Sequence, residues 1–179
     1  GFLIEKSDNT NKILNEKKIP YMIIGGQAVL LYGRLRLTQD IDITLGVDST
    51  YYNELLGISK KIGLKPLPKK PKEFAQKTNV FPVVDTRSKI RVDFIFSFTP
   101  YETKAISRAV SIKMGKTKIS FASAEDVILH KLFAGRERDF EDIEGIVARQ
   151  KKKLNFAYLS KWVEEFSSLP GKEHILKDF

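Results

Sequence analysis

Two aspartates stand at i and i+2 near the end of the stretch MIIGGQAVLLYGRLRLTQDIDITL, residues 22–45. From Asp40 to Val47 the chain alternates strictly. Ile41, Ile43, Leu45 and Val47 share one face, and Asp40, Asp42, Thr44 and Gly46 share the other, which is the period of a half-buried strand. Asp40 and Asp42 therefore project from the same face. Carboxylates this close repel each other unless one takes up a proton or a cation lies between them. A third carboxylate, Asp93, sits in RVDFIF. There Val92, Phe94 and Phe96 form the apolar face and turn Asp93 the other way, alongside Arg91 and Ile95. If the two strands are neighbours, three aspartates converge. Oxygen-only ligation suits Mg2+ or Mn2+. Two such ions, about 3.5–4 Å apart, are the usual apparatus for in-line displacement at phosphorus. An Asp-x-Asp alone is more often a solvated strand edge; the alternation, the Gly-Gly turn that feeds the strand and the matching Asp93 favour the metal reading.

The glycines at the start of the stretch complete the picture. Gly25-Gly26 follows the expected strand Tyr21–Ile24 and precedes the expected helix Gln27–Tyr32, ended by Gly33. Glycine lets backbone approach a ligand closely, and a helix N-terminus offers free N–H groups and a positive dipole. This is a phosphate seat one helix and one strand away from the aspartates.

The remaining elements follow from pattern. Residues 3–17 read as a weak helix, and 33–39 as a basic loop. Ser49 is an N-cap candidate for a helix that buries Tyr51, Leu55, Ile58 and Ile62 and closes at Gly63. The proline- and lysine-rich LKPLPKKPKEFAQK reads as a loop. FPVVDT and KIRVDFIF form a hairpin around Arg87-Ser88, and VSIKMGKTKISF forms a second around Gly115. Thr99-Pro100 opens one helix and Ser123 caps another. Two more helices follow, one at 139–150 with a stripe of Phe140, Ile143 and Val147, the other with Phe156, Leu159, Val163 and Phe166. A mixed strand–helix half to residue 121 precedes an all-helical half, so the fold class is α+β. We expect residues 1–121 to be the catalytic core and 122–179 a helical portion packed on it as one compact unit.

Composition narrows the function. With 179 residues and 42% hydrophobic content the chain can bury a core. No apolar run is long enough to span a membrane, and GFLIEKSDNTNK turns polar too soon for a signal peptide, so no membrane association is expected. The absence of cysteine excludes disulfides and thiolate metal sites and fits a cytoplasmic location. The net charge of +9 favours polyanionic partners, nucleic acid or nucleotides, or else reflects a lysine-rich solvated surface. His130 and His174 form no metal pair by spacing. A lone helix histidine is more often structural or exposed.

GGQAVLLYGRLRLTQDIDITL resembles the nucleotidyltransferase signature of the DNA polymerase β-like superfamily: a Gly-Gly or Gly-Ser turn, a helix, then Arg-x-Thr-x-Asp-x-Asp. KLFA at Lys131–Ala134 and RDFEDI at Arg138–Ile143 resemble motifs of AbiEii-like and related small nucleotidyltransferases. The glycine pair departs from the Gly-Ser form, so a serine contact to the terminal phosphate is missing. The resemblance implies a nucleotidyltransferase fold, a mixed β-sheet flanked by helices with a C-terminal helical portion. It implies an NTP substrate and two divalent ions, Mg2+ or Mn2+. Asp40 and Asp42 would hold both metals, and Asp93 would complete the second site and activate the acceptor hydroxyl. Lys131 would contact phosphate; a solvated helix lysine is the plainer reading. Gly25, Gly26, Arg36 and Thr38 would bind nucleotide, with Thr38 bracing the loop. Asp139 and Asp142, at i and i+3, either orient Lys131 or the acceptor, or pair with Arg136 or Arg138. The expected activity is transfer of NMP to a hydroxyl, on RNA or tRNA, with release of pyrophosphate. The alternatives are a small-molecule, antibiotic-type acceptor, or a catalytically weak nucleotide- or nucleic-acid-binding member of a toxin–antitoxin pair, with an antitoxin or other protein as partner.

Overall fold

Residues 10–34, 38 and 40–179 are described by the structure, a computed structural model. Arg36 and most of the expected basic loop lie outside the described residues, as does the start of the first helix. That helix, α1, covers residues 10–16. β1 (Tyr21–Ile24), α2 (Gly25–Tyr32) and β2 (Asp40–Leu45) follow. A 3-10 turn (Ser49–Tyr51) leads into α3 (Tyr52–Lys61), then β3 (Leu64–Pro66), α4 (Pro71–Thr78), β4 (Val80–Asp85) and β5 (Arg91–Phe96). Next come α5 (Pro100–Ser107), β6 (Val110–Met114), β7 (Thr117–Phe121), α6 (Ala124–Ala134) and α7 (Glu137–Gln150). A 3-10 turn (Lys151–Lys153), α8 (Phe156–Ser167) and α9 (Ile175–Asp178) close the chain. Among the described residues seven strands form one mixed sheet in the order β3-β4-β5-β2-β1-β7-β6, an α+β arrangement with helices flanking the sheet.

Alternation gives this sheet two different faces. On one, Ile41, Ile43 and Leu45 lie beside Val92, Phe94 and Phe96, all buried. Phe81 of β4 stacks on Phe94 at 6.3 Å, and Tyr52 of α3 meets Phe81 edge-on at 5.0 Å. The opposite face carries Asp40, Asp42 and Thr44 of β2 beside Arg91, Asp93 and Ile95 of β5, register partners in a parallel pair. The helices α5, α6 and α8 cover part of that second face through one buried carboxylate. Asp126 of α6 accepts hydrogen bonds from Tyr101 (3.0 Å) on α5 and Tyr158 (2.7 Å) on α8. Ser123 caps α6 as expected, its hydroxyl accepting from the Asp126 N–H at 3.1 Å. Thr99 and Glu102 form a full capping box at the start of α5.

Four local expectations give way to tertiary context. The expected loop 64–77 contains β3 and α4, because Pro71 at the first helical turn pre-sets φ and needs no hydrogen-bond donor. β3 lies at the sheet edge, where Pro66 leaves no ladder bond unmade. The turn before α3 is capped by Asp48, which accepts from the Thr50 N–H at 2.9 Å, not by Ser49; the helix buries Tyr52 and leaves Tyr51 exposed. α8 buries Leu159, Trp162, Val163 and Phe166 and exposes Phe156. α7 turns Asp139, Asp142 and Ile146 furthest inward, with Phe140, Ile143 and Val147 only half-buried, for a reason given below.

Phe94 is fully buried at the centre of the apolar face. Phe94→Ala should lower the free energy of unfolding by roughly 3–5 kcal/mol through the cavity it leaves. Chemical denaturation checks this, and a loss below about 1 kcal/mol would contradict the packing described.

Candidate active site

A cleft of about 530 Å³ opens where β1 meets α2, and it is lined by residues from five elements. Gly25 and Gly26 come from α2, Asp40 and Asp42 from β2, and Arg91 and Asp93 from β5. Lys131 comes from α6 and Arg138 and Asp139 from α7, with Thr38 and Arg136 from the adjoining loops. The sheet explains the first three contributions. β1 and β2 are antiparallel, with Ile24 opposite Asp42, so the first turn of α2 begins beside the carboxylate. β2 and β5 are parallel, with Asp42 opposite Asp93, so those two side chains emerge side by side.

Gly25 is required where it stands. Its φ of +65° lies in the left-handed region, and a Cβ there would sit 2.0 Å from Asp42 Oδ2. The N-cap of α2 is Ile24, whose side chain offers no hydrogen bond, so the N-cap side chain leaves the first N–H groups of this helix unbonded. Thr38 is braced: its hydroxyl accepts from Gln27 Nε2 at 2.6 Å.

The electrostatics concentrate on Asp42. Burial, then repulsion from Asp93 and Asp40, pushes its carboxyl up to about 6, against weaker opposing pulls from Lys131 and Arg91. Asp93 is tied to Arg91, Nε to Oδ1 at 2.7 Å. With Asp93 turned to Arg91 and Asp42 lodged against Gly25, no group of three or more His, Cys, Asp or Glu side chains among the described residues is arranged to close on a metal ion. The chemistry of the donors nonetheless fits a hard divalent cation. They are all carboxylate oxygens, and their mutual repulsion is only partly compensated by the protein.

Lys131 is a buried residue, not a solvated one. Its Nζ meets Asp139 Oδ1 at 2.7 Å and Asp142 Oδ2 at 3.0 Å. Gly135, at φ +64°, ends α6 and lets α7 turn back so that the two carboxylates reach the lysine. This is why α7 turns an acidic stripe inward. Asp139 also accepts from Arg136 Nε at 2.8 Å. Burial raises the Asp139 carboxyl, but the hydrogen bonds from Arg136 and Lys131 outweigh it and hold the group below its ordinary value.

Of the residues singled out in the sequence, Gly25, Gly26, Thr38, Asp40, Asp42, Asp93, Lys131 and Asp139 line one cleft. Asp142 stands behind Lys131. Arg91, Arg136 and Arg138 also line the cleft and were not assigned to it. Arg91 was legible, since at i−2 from Asp93 it must share its face. His130, the lone helix histidine, packs against the Tyr101 ring at 5.6 Å and takes no part in the cleft.

The fold is that of known nucleotidyltransferases. The antibiotic-resistance factor ANT(2'')-Ia superposes with a TM-score of 0.65 over 97% of both chains at 15% identity. An antigenic nucleotidyltransferase-like protein from Paracoccidioides brasiliensis gives 0.57 over 96% of this chain and 90% of its own, at 16% identity. The lincosamide antibiotic adenylyltransferase LnuA gives 0.52 over 75% of this chain and 90% of its own, at 18% identity. No curated protein matches the chain in sequence. The chain belongs to the family of nucleotidyltransferases of unknown function (DUF6036), which matches residues 3–173. Among the described residues no helix is long and apolar enough to cross a membrane.

Two outcomes follow from the charges. The native state holds the Asp42 proton up to about pH 6, whereas the unfolded chain releases it near its ordinary value of 3.8. Stability from this group is therefore full below about pH 4 and is lost as pH rises to about 6, by roughly 1–3 kcal/mol. In chelator, Asp42→Asn should remove that fall and melt higher than the wild type at pH 7.5; an unchanged pH profile would show that Asp42 is not strained. Lys131→Ala should cost at most roughly 3–5 kcal/mol in a denaturant titration, because it removes the buried cation that Asp139 and Asp142 share, while Arg136 still pairs with Asp139. A near-neutral result would mean that water solvates the pair.

Proposed function

We propose that this cleft transfers a nucleoside monophosphate from an NTP to an acceptor hydroxyl and releases pyrophosphate. The observation that carries the reading is the β2–β5 register, which sets Asp42 beside Asp93 at the glycine start of α2. The acceptor oxygen forms a bond to the α-phosphorus as the bond from that phosphorus to the β-bridging oxygen breaks. Asp93 takes the hydroxyl proton, and the electron pair leaves with pyrophosphate. Among the described residues, four acids (Asp40, Asp42, Asp93, Asp139) and four cationic side chains (Arg91, Lys131, Arg136, Arg138) line the cleft. That balance leaves a triphosphate unneutralised unless cations enter with it. Asp40 and Asp42 are the residues that would hold two divalent ions, Mg2+ or Mn2+, with Asp93 completing the second, and such ions stabilise charge at the reacting phosphoryl group. Arg136 and Arg138, at the cleft wall, are placed to meet phosphate oxygens, as are the first N–H groups of α2. Lys131, locked between two carboxylates, sets the potential at Asp42 and the phosphates. In this reading residues 1–121 carry the chemistry and 122–179 supply Lys131 and the basic wall.

Two acceptors have support on different grounds. The net charge of +9 supports RNA. An apolar groove on the same sheet face supports a small molecule. The likeness of KLFA and RDFEDI to AbiEii-like motifs adds an antitoxin as a protein partner of the same reading.

The test is incubation with each of four labelled NTPs, Mg2+ and total cellular RNA. Label should transfer from at least one NTP, with pyrophosphate released, and both should stop with chelator or in Asp93→Asn. Turnover that persists in Asp93→Asn would overturn the assignment. If RNA is the acceptor, about four phosphate contacts should give a log–log salt slope near −3 for binding.

A further inference from the structure

The carboxylate face of the sheet does not end at the aspartates. Thr44 follows Asp42 by two residues on β2, and Ile95 follows Asp93 by two on β5, and these two are register partners. They lie on the same face, roughly 7 Å further along the strands. With Ile24 they floor a second concavity, of about 550 Å³. Its walls are apolar: Phe98, Tyr101, Phe133, Trp162, Phe166 and Leu169. Three of these are well exposed large side chains, Phe98 at 68%, Leu169 at 44% and Phe133 at 38%. An exposed apolar rim around a concave floor marks a binding groove more often than chance surface.

Among the described residues, three that line this groove, Thr44, His130 and Trp162, each carry a buried side-chain polar atom without a hydrogen bond. Thr44 is 1% exposed and its Oγ1 is buried without a hydrogen bond; His130 Nε2 is likewise buried and unbonded. Buried polar atoms are almost always satisfied, so orphans gathered in one groove point to a ligand that supplies the bonds. Burial lowers the His130 imidazole below its ordinary value, so at neutral pH it can donate or accept. The charged side chains that line the groove are acidic. Among the described residues, the charged side chains that line it are Glu102 and Glu165, while Lys172 Nζ lies 4.2 Å from the Phe133 ring and Lys161 Nζ 5.3 Å from the Trp162 ring, on the walls. Glu102 is engaged in the α5 capping box, which leaves Glu165 facing solvent at the rim.

We infer that this groove binds the apolar body of the acceptor, a small, uncharged or cationic, ring-containing alcohol whose polar edge bonds Thr44 Oγ1 and His130 Nε2 and whose hydroxyl reaches Asp42 and Asp93. The inference rests on the nucleotidyl-transfer reading for what happens to that hydroxyl. The transfer is the one written above: the acceptor oxygen replaces pyrophosphate on the α-phosphorus, and its proton passes to Asp93. Helix α6 links the two sites, since Lys131 faces the cleft while His130 and Phe133 face the groove.

Trp162, the chain's sole tryptophan, stands in the groove wall and reports directly. Benzyl alcohol titrated into the full chain, with excitation selective for tryptophan, should shift Trp162 emission saturably, and benzyl phosphate should bind about tenfold more weakly or not at all. Thr44→Val keeps the shape and removes the hydroxyl, so it should weaken benzyl alcohol binding about fivefold to tenfold. Leu169→Arg, at the exposed rim, should block the probe and leave Mg2+–NTP binding, read by calorimetry, unchanged. No emission change, preference for benzyl phosphate, or binding indifferent to both substitutions overturns the inference. A dimer in sedimentation that Leu169→Arg dissociates also overturns it, by showing that a second copy covers the groove. If Mg2+–NTP fails to bind the wild type while the titration behaves as expected, the transfer reading falls and the groove stands. If NTP binds and the titration fails, the groove falls alone.

Discussion

The parallel pairing of β2 with β5 is the constraint on which the rest depends. Adjacent strands lie about 4.8 Å apart, so placing Asp42 opposite Asp93 brings two carboxylates together that would separate in water. The same pairing sets Ile43 opposite Phe94 on the reverse face, where both are fully buried. The two outcomes cannot be uncoupled. A slip of one residue would turn the aspartates into the core and the phenylalanine into the cleft. Core packing therefore holds the carboxylates in a repulsive arrangement, and the cost is visible as the raised Asp42 carboxyl. Arg91 relieves Asp93 directly, and Lys131 relieves Asp42 through space.

Lys131 can do this only because other buried charges hold it. Asp139 and Asp142 fix its ammonium at hydrogen-bond distance, and Asp126, five residues earlier on α6, fixes the helix. Asp126 takes hydroxyl hydrogen bonds from Tyr101 and Tyr158, so α5, α6 and α8 meet at one fully buried carboxylate. A satisfied network of this kind specifies one arrangement, because any displacement strands a polar group in a low-dielectric interior. The helical half is thus registered against the sheet by charge and hydrogen bonding as much as by apolar contact.

That registration also shapes the groove beside the cleft. Tyr101 meets both Trp162 and Phe166 edge-on at 4.9 Å, and Phe133 meets Phe166 at 5.3 Å. These aromatic contacts form a rigid wall at the end of the carboxylate face. A single sheet face carries charge at one end and apolar surface at the other, with α6 spanning both.

What the sequence determined by itself is local and periodic. The strands that alternate, the faces of Asp40, Asp42 and Asp93, the Gly25-Gly26 turn, the Thr99 and Ser123 caps and both hairpins were legible, because side-chain direction and capping depend on residues within a few positions. The edge strand β3 and helix α4 were not, since proline and lysine read as a loop until pairing with β4 and a first-turn proline are both known. The tertiary structure decided which strands are neighbours, that Lys131 is buried between two carboxylates, and that α7 points acids inward. It also decided that Arg91, Arg136 and Arg138 share the cleft, and that Thr44 and His130 lie unpaired in an apolar groove. Each of these depends on groups distant in the chain, and the physical reason is common to all. Electrostatic and packing energies depend on distance in space, and a sequence reports only distance along the chain.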